Sequence, residues 1–219
     1  MTKRSIKNLP SGVKIIENII KTAKINPAKA RKQLHQELHV DKETGLLSRR
    51  GLQTLLEDIG NSPTTSGILY IDLMGLKKIN DTLGHEAGDK AIASVAAALK
   101  KIIRSKRTKD REPDSVYLFL DNEVGRMGGD EFVVVLKNVK GHEGVIAASK
   151  RITNHFNDKN ISPIAIGCSL YTKGKDIKEV IEQADQAMYK IKKDIYKRKK
   201  KESDYAVFFK EKDIKLHPD

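Results

Sequence analysis

The chain has 219 residues, a formal net charge of +13 at pH 7, 38% hydrophobic residues and no tryptophan. This length suits one domain of ordinary size with a short appendage. No apolar run approaches the roughly 18 residues that a transmembrane helix needs, and no apolar segment follows the basic N-terminus, so we expect neither a membrane span nor a secretory signal. The single cysteine, Cys168, excludes an internal disulfide and fits a reducing compartment, which predicts a cytoplasmic protein.

The positive charge is concentrated in residues 100–111 and 190–201, which hold seven and eight Lys or Arg. A basic protein favours an anionic partner such as a nucleotide, a nucleic acid or a membrane surface. Charge runs are more often solvated faces, and only Tyr196 supplies an aromatic ring within these two segments. Because single-stranded nucleic acids are bound on aromatic stacking platforms, we disfavour a nucleic-acid partner.

A leader of two lysine-rich helices is predicted first. Apolar residues recur at helical spacing over residues 11–23, and Pro27 is placed to open the second helix. This leader is too short for an independent sensor domain, and we expect it to pack on the main domain or to pair with another copy. Ser48 is the predicted N-cap of a third helix.

The first predicted core strand covers residues 67–73 and is apolar at almost every position, which is typical of a strand covered on both faces. Its one charge, Asp72, lies near the C-terminal end, where a carboxylate is costly without a partner. The polar segment 77–88 is predicted to be a loop that contains His85. We expect Asp89 in the first turn of the helix that follows.

A hairpin is predicted around Gly128–Gly129. The apolar runs 116–120 and 132–136 flank it, and glycine takes the positive φ of a tight turn. Asp130 and Glu131 lie on its tip. Taken alone, these four residues are as readily an ordinary polar turn, so their interpretation depends on a second acidic strand end.

Helices over 142–156 and after Asp176, and strands over 163–171 and 205–209, complete the order. The central β-α-β-β-α-β run predicts an α+β, ferredoxin-like or palm-type sheet with helices on one side. In that topology the first strand lies beside the hairpin, so Asp72 supplies the second acidic strand end. Carboxylates that meet at one sheet edge suit a divalent cation.

The turn from Gly128 to Phe132 resembles the signature of the GGDEF family, the diguanylate cyclases. Three further motifs of that family are matched at Asp41–Arg50, Asp72–Asp89 and Ala184–Tyr189. The resemblance covers roughly residues 40 to 210. It implies a helical leader at 1–40, a GGDEF domain at 41–210 and a C-terminal tail at 211–219.

The resemblance implies an enzyme that joins two GTP molecules into cyclic di-GMP and releases two pyrophosphates in a site formed between two subunits of a homodimer. It implies Mg²⁺, or Mn²⁺, held by the side chains of Asp72 and Asp130 and by the backbone carbonyl of Leu73. It gives Lys77 the role of stabilising phosphate charge and Glu131 that of assisting deprotonation of the attacking 3′-hydroxyl.

The same resemblance places the nucleotide. It implies that Asn80 and Asp89 read the guanine edge, which agrees with chemistry, since a carboxylate accepts from guanine N–H groups and an amide both donates and accepts. It further implies phosphate-binding positions at Gly75, Leu76, Gly128, Gly129 and Lys192.

Several positions depart from the family pattern. Met74 replaces a second aspartate, Leu76 a phenylalanine, and Glu43 a leucine. Residues 195–197 read Ile-Tyr-Lys where Gly-Arg-Asn is expected. The window for the Arg-x-x-Asp product-inhibition site, residues 119–122, reads Phe-Leu-Asp-Asn, so we expect no product inhibition.

Three functions are therefore considered. The first is an active diguanylate cyclase without feedback inhibition, which the acidic and polar motif residues favour. The second is a catalytically inactive GTP-binding or regulatory module, which Met74 and the missing arginine favour. The third is a basic nucleic-acid binder on the same fold.

Overall fold

The computed structural model describes residues 11–104, 123–198 and 207–209. Its helices are α1 Ser11–Ile25, α2 Pro27–His39, α3 Arg49–Gly60, α4 Leu76–Leu83, α5 His85–Arg104, α6 Gly141–Asp158 and α7 Ile177–Arg198. Its strands are β1 Ser66–Leu73, β2 Glu123–Gly128, β3 Glu131–Lys137, β4 Ile164–Tyr171 and β5 Val207–Phe209.

One sheet holds all five of these strands, in the order β2-β3-β1-β4-β5. Strand β1 is antiparallel to both β3 and β4, and β5 pairs with β4 in parallel. The predicted α+β, ferredoxin-like class is confirmed, and the first core strand does lie beside the hairpin. Because β1 is central, its C-terminal end is flanked by strands on both sides.

Helices cover both faces of the sheet, so the prediction of helices on one side is wrong. Leu69 and Ile71 of β1 enter a core cluster with α5 and α6, whereas Ile68 and Tyr70 enter a second cluster with α3 and α7. Successive side chains of a strand point to opposite faces. A strand that is apolar at every position therefore needs other elements packed on both faces of the sheet.

Helix α4 lies inside the segment predicted as a loop. Gly75 and Gly84, with φ of 77° and 85°, bound it, and none of its residues is fully buried. Helix α5 then begins at His85, which places His85 in a helix and Asp89 in its second turn instead of its first. Its apolar residues Leu76, Ile79 and Leu83 do recur at helical spacing, but the helix is only eight residues long and otherwise polar, so the sequence favours a loop.

The hairpin also differs from its prediction. The run 116–120 lies outside the described residues, and the strand that pairs with β3 is Glu123–Gly128. A register shift between Arg126 and Gly128 brings Gly128 opposite Glu131. The motif residues before the turn are therefore part of a strand, with the two glycines at its end.

The predicted starts of α2, α3 and α7 are confirmed. The backbone N–H of Gly51 donates to Ser48 Oγ at 3.2 Å, and that of Lys178 donates to Asp176 Oδ1 at 2.9 Å. Pro27 is the first residue of α2. The leader contacts the domain at the end of α2, where the Ser48 N–H donates to the His39 carbonyl at 2.8 Å.

Residues between α2 and α3 cover the outer edge of β2. The Leu47 N–H donates to the Val124 carbonyl at 3.1 Å, and the Arg126 N–H donates to the Leu47 carbonyl at 2.8 Å. Leu47 is itself buried. The segment that precedes α3 thus supplies backbone partners to the edge strand.

Cys168 lies in β4 and is fully buried. Burial raises the pKa of its thiol to about 12, so this cysteine acts as a small core hydrophobe and not as a nucleophile. Among the helices of the described residues, none is both long and apolar enough to cross a bilayer.

Gly167→Ala is expected to destabilise the fold. A Cβ at Gly167 would lie 2.0 Å from the Ala184 carbonyl oxygen and 2.2 Å from the Met188 nitrogen, both backbone atoms of α7. Overpacking of this kind costs about 2 kcal/mol or more, measurable by urea unfolding. Gly144→Ala in α6, where the nearest atom would lie 3.5 Å away, is the control and should unfold at or above the wild-type midpoint. Equal midpoints for the two variants would contradict the close packing of α7 on β4.

Candidate active site at the acidic edge of the sheet

Three carboxylates lie at the end of the sheet where β1 leaves it and β3 enters. Asp72 is directly opposite Glu131 in the antiparallel register, and the Leu73 N–H donates to the Asp130 carbonyl at 2.9 Å. The strand pairing therefore places the two acidic motifs side by side. Both had been predicted to meet at one edge of the sheet.

The turn between β2 and β3 leaves this edge open. Gly129 has a φ of 50°, and a Cβ at either Gly128 or Gly129 would find no atom within 4 Å. Asp130 follows in the turn and is half-buried. The two glycines thus leave space beside the carboxylates and expose backbone that a ligand can approach.

Asp72 is 1% exposed, although it carries a charge. Its Oδ2 accepts a hydrogen bond from Lys192 Nζ of α7 at 2.6 Å, whereas its buried Oδ1 has no hydrogen-bond partner among the residues that the structure describes. Burial raises the pKa of Asp72 to about 6; Lys192 opposes this rise, and the negative charges of Asp130 and Glu131 add to it. The fold therefore holds a partly compensated carboxylate at the centre of the edge.

The pKa of Lys192 is also raised, but here the ion-pair partner outweighs burial. Its partial burial would lower its pKa, but the hydrogen bond and charge of Asp72 outweigh that effect and raise the pKa of the ammonium. Lys192 is 29% exposed in its side chain, so it lies between the buried carboxylate and solvent. A cation at this place can also meet an anionic ligand.

The residues present fit a divalent cation. A buried carboxylate oxygen without a partner, Asp72 Oδ1, is the kind of hard donor that Mg²⁺ and Mn²⁺ accept. Within residues 11–104, 123–198 and 207–209, no three Asp, Glu, His or Cys side chains are grouped to hold an ion. Side chains alone therefore do not complete a ligand set, which leaves room for backbone carbonyls and for oxygens of a ligand.

A second group of predicted site residues lies where α4 contacts α5. Within the described part of the chain, the buried Oδ1 of Asn80 in α4 has no hydrogen-bond partner, and it lies so close to Gly88 of α5 that a Cβ there would come within 1.8 Å of it. Asp89 is the next residue and is exposed. The glycine contact between the helices thus sets Asn80 beside the helical turn that carries Asp89.

The start of α4 holds the other predicted phosphate positions. Lys77 is exposed in its first turn, and Gly75, with positive φ, precedes the helix. Leu76 is partly buried against the α5–α6 core cluster. Its side chain therefore belongs to the core, and only its backbone is suited to a ligand.

Tyr70 is a polar residue of this edge that the sequence analysis missed. Its O–H donates to Glu131 Oε2 at 3.1 Å. Burial, then the charge of Glu131, raises the pKa of the phenol, so it stays a donor. The available signal was its spacing, two residues before Asp72 in the same strand, which places both side chains on one face.

Arg126 was also missed as a contact of the turn. Its Nε donates to the Gly129 carbonyl at 3.0 Å, and its Nη1 pairs with Glu43 and lies 3.5 Å from Asp41 Oδ1. Burial opposes ionisation of Asp41, but hydrogen bonds from Thr44 and the Arg126 charge outweigh it and lower its pKa. A cavity of about 540 Å³ adjoins this cluster, lined by residues 40–43, 48–49 and 126–129.

The departures from the motif have structural reasons. Met74 is 6% exposed and packs in the α3–α7 core cluster, and its N–H donates to the Pro163 carbonyl at 2.8 Å. That side chain faces the core and not the edge. In α7, Ile195 packs partly against the same cluster, whereas Tyr196 is 59% exposed and close enough to Lys192 to influence its pKa.

A central antiparallel sheet of this topology, with carboxylates and an open glycine turn at one edge, defines an α+β domain of the palm type. The profile of the GGDEF domain family, described as "Diguanylate cyclase, GGDEF domain", matches residues 38–198. The chain belongs to this family.

Relatives agree with this assignment. Diguanylate cyclase A of Treponema denticola is 32% identical over 194 residues, which are 81% of this chain and 47% of that protein. Diguanylate cyclase DosC of Escherichia coli K12 is 31% identical over 72% of this chain and 34% of its own length. This chain thus spans about half of the first and a third of the second.

Among solved structures, the coiled coil and GGDEF domain of DgcB from Caulobacter crescentus, in complex with c-di-GMP, has a TM-score of 0.64 to this chain. It is 19% identical, and the match covers 88% of this chain and 98% of that one. The likeness shows a shared fold.

Asp72→Asn is expected to stabilise the ligand-free protein near neutral pH. Because its pKa is raised, the stability that Asp72 contributes is fully present below the unfolded value of 3.8 and is lost as pH rises through about 6. A neutral amide removes that loss, which amounts to at most about 3 kcal/mol. Urea unfolding in a chelating buffer, from about pH 4 to pH 8, measures it. Asp58→Asn, an exposed carboxylate of α3, is the control; a wild type more stable than Asp72→Asn at neutral pH would contradict the argument.

Proposed function

We propose that this protein is a diguanylate cyclase that condenses two GTP molecules into cyclic di-GMP and releases two pyrophosphates. One observation carries the proposal. Asp72 is buried with a free carboxylate oxygen, directly opposite Glu131 and beside a glycine turn that leaves open space. Family membership and the two relatives that bear the name diguanylate cyclase support it further.

We assign the metal site to the carboxylates of Asp72 and Asp130 and the backbone carbonyl of Leu73. When bound there, Mg²⁺ or Mn²⁺ would neutralise phosphate charge as it develops. Asp72 brings an oxygen that the fold leaves without a partner. Asp130 is fixed by its own backbone, because its carbonyl accepts the Leu73 N–H.

The chain's own residues supply the remaining chemistry. The 3′-oxygen of one GTP forms a bond to the α-phosphorus of the other, and the bond from that phosphorus to pyrophosphate breaks. Glu131 accepts the proton that the 3′-hydroxyl loses. Lys77 and Lys192 place ammonium groups beside the phosphates, and positioning with charge neutralisation is most of what phosphoryl transfer requires.

Nucleotide selection is assigned to the α4–α5 edge. Asn80 has a buried amide oxygen that lacks a partner and can accept from a guanine N–H, and Asp89 is an exposed acceptor nearby. Backbone groups of the two turns would approach the phosphates, at Gly75, Leu76, Gly128 and Gly129. A purine with the opposite donor pattern would leave these groups unpaired.

One chain carries one such half-site, so the reaction needs two copies facing each other. We therefore propose a homodimer for catalysis, in which each subunit presents one GTP. The sequence at 119–122 lacks the Arg-x-x-Asp pattern, which supports a cyclase without product inhibition. The domain limits 41–210, the leader 1–40 and the tail 211–219 remain predictions, as does the cytoplasmic location.

A second candidate is a GTP-binding regulatory module without activity. The Ile-Tyr-Lys sequence at 195–197 favours it, because the exposed Tyr196 cannot supply the positive charge of an arginine. Lys192 lies one turn earlier and does supply a cation at the edge. This observation favours activity over the inactive alternative.

Asp130→Ala is expected to abolish product formation. Wild-type protein at micromolar concentration, incubated with GTP and Mg²⁺ or Mn²⁺, should yield cyclic di-GMP and pyrophosphate by chromatography, whereas Asp130→Ala should yield neither, because one metal ligand is lost. Asp58→Ala is the control and should match the wild type. No product from the wild type, with GTP still raising its unfolding midpoint, would instead identify the regulatory module.

Gly88→Ala is expected to weaken GTP binding about ten-fold. The added methyl would displace the Asn80 amide, whose oxygen would lie 1.8 Å from it. Calorimetry with a non-hydrolysable GTP analogue measures the effect, and Asn80→Ala should weaken binding to a similar extent. Gly144→Ala, a helical glycine with room for a methyl, should bind as the wild type does; unchanged affinity in Gly88→Ala would contradict the assignment of Asn80.

A further inference from the structure

Tyr70 lies on the same face of the sheet as the two facing carboxylates. It precedes Asp72 by two residues in β1 and is 7% exposed, packed in the cluster with α3 and α7. Its partner in the register is Val133, which makes Glu131 its diagonal neighbour on β3. An aromatic side chain reaches that diagonal position.

The Tyr70 hydroxyl donates to Oε2 of Glu131 at 3.1 Å. An ionised carboxylate accepts hydrogen bonds on two oxygens, so this bond occupies one and leaves Oε1 outside it. Glu131 is half-buried at the first position of its strand. A glutamate held at one oxygen loses much of the rotamer freedom that a free side chain keeps.

The donor to Glu131 differs from the donor to Asp72. Asp72 accepts from Lys192 of α7, whereas Glu131, directly opposite, accepts from Tyr70 of β1. Like charges on directly opposite residues repel. Two separate donors thus hold the two carboxylates in distinct positions at the edge.

We propose that Tyr70 is a positioning residue, whose hydroxyl orients Glu131 so that Oε1 can receive the proton of the attacking 3′-hydroxyl. The proposal rests on the proposed cyclase function. In that reaction the 3′-oxygen bonds to the α-phosphorus, the bond to pyrophosphate breaks, and the proton passes to Glu131. Tyr70 acts on the reaction through Glu131 alone.

A buried hydroxyl needs a partner for structural reasons as well, and the chain contains a matched case. Tyr171 is 1% exposed, and its O–H donates to the Gly60 carbonyl at 2.8 Å. Its strand position pairs with Ser66, at the opposite end of β1 from Asp72. Loss of either hydroxyl removes one part-buried hydrogen bond, but only that of Tyr70 lies at the acidic edge.

The test compares Tyr70→Phe with Tyr171→Phe in steady-state assays of cyclic di-GMP formation, below both unfolding midpoints. Each variant should melt a few degrees below the wild type, because each loses one part-buried hydrogen bond. Tyr70→Phe should lower kcat about ten-fold with an unchanged KM for GTP, whereas Tyr171→Phe should keep the wild-type kcat. In a Glu131→Gln background, Tyr70→Phe should produce no further fall.

A wild-type kcat and KM in Tyr70→Phe would overturn the proposal while the cyclase function stands, as would a full ten-fold fall in kcat that persists in the Glu131→Gln background. A higher KM with unchanged kcat would also overturn it, because that result assigns Tyr70 to substrate binding. Absence of product from the wild type would instead overturn the proposed function, and this inference with it. The wild-type assay therefore separates the two failures.

Discussion

The burial of one carboxylate, that of Asp72, is the constraint on which the site depends. Removal of an ion from water costs several kcal/mol unless it is paired, and here only one of the two oxygens has a partner. That partner, Lys192, must come from a helix packed on the sheet face. Gly167 permits this, because its missing side chain lets the α7 backbone touch β4 near Met188, one turn before Lys192. Core packing and site electrostatics are thus joined in a single helix.

The fold leaves buried acceptors unsatisfied where ligands are proposed to bind. Asp72 Oδ1 and Asn80 Oδ1 are both buried without partners, one at the end of β1 and one at the contact of α4 with α5. Buried acceptors of this kind are rare in native proteins, since each carries its desolvation penalty. In ligand-free protein they lower stability, and a bound cation or base recovers that loss. The two ends of one proposed nucleotide site share this feature, which Gln33 Oε1 and Ser66 Oγ also show elsewhere in the fold.

Much of the fold follows from local signals in the sequence. The N-caps at Ser48 and Asp176, the adjacency of β1 to the hairpin and the meeting of its acidic ends were all predicted from residue patterns. Helix α4 was not, because it is only eight residues long and its three apolar side chains, none of them fully buried, lie in an otherwise polar segment. The helices on both faces could have been predicted, since β1 is apolar at successive positions.

The candidate site also contains residues that the sequence predicts and residues that only the structure reveals. A carboxylate at the end of an apolar strand stands out in a sequence, so Asp72 and Asp130 were predicted from the sequence. Tyr70 was not predicted, because the sequence does not distinguish a tyrosine inside an apolar run from an ordinary core residue. Only the structure shows that its hydroxyl bonds to Glu131. The burial of Met74 was also not predicted. From the sequence alone, the replacement of an aspartate by Met74 suggests a loss of function, whereas the structure shows that this side chain packs in the core.

Leu47 has a consequence for how this domain can be divided. Both its N–H and its carbonyl form hydrogen bonds to the outer strand β2. At this one residue, Leu47 therefore pairs with β2 as a neighbouring strand would. A fragment that began at α3 would present a bare strand edge, the kind of surface on which unrelated chains add and aggregate. The nine residues between α2 and α3 therefore protect this strand edge from pairing with another chain. They belong to the smallest unit of the protein that we expect to stay monodisperse.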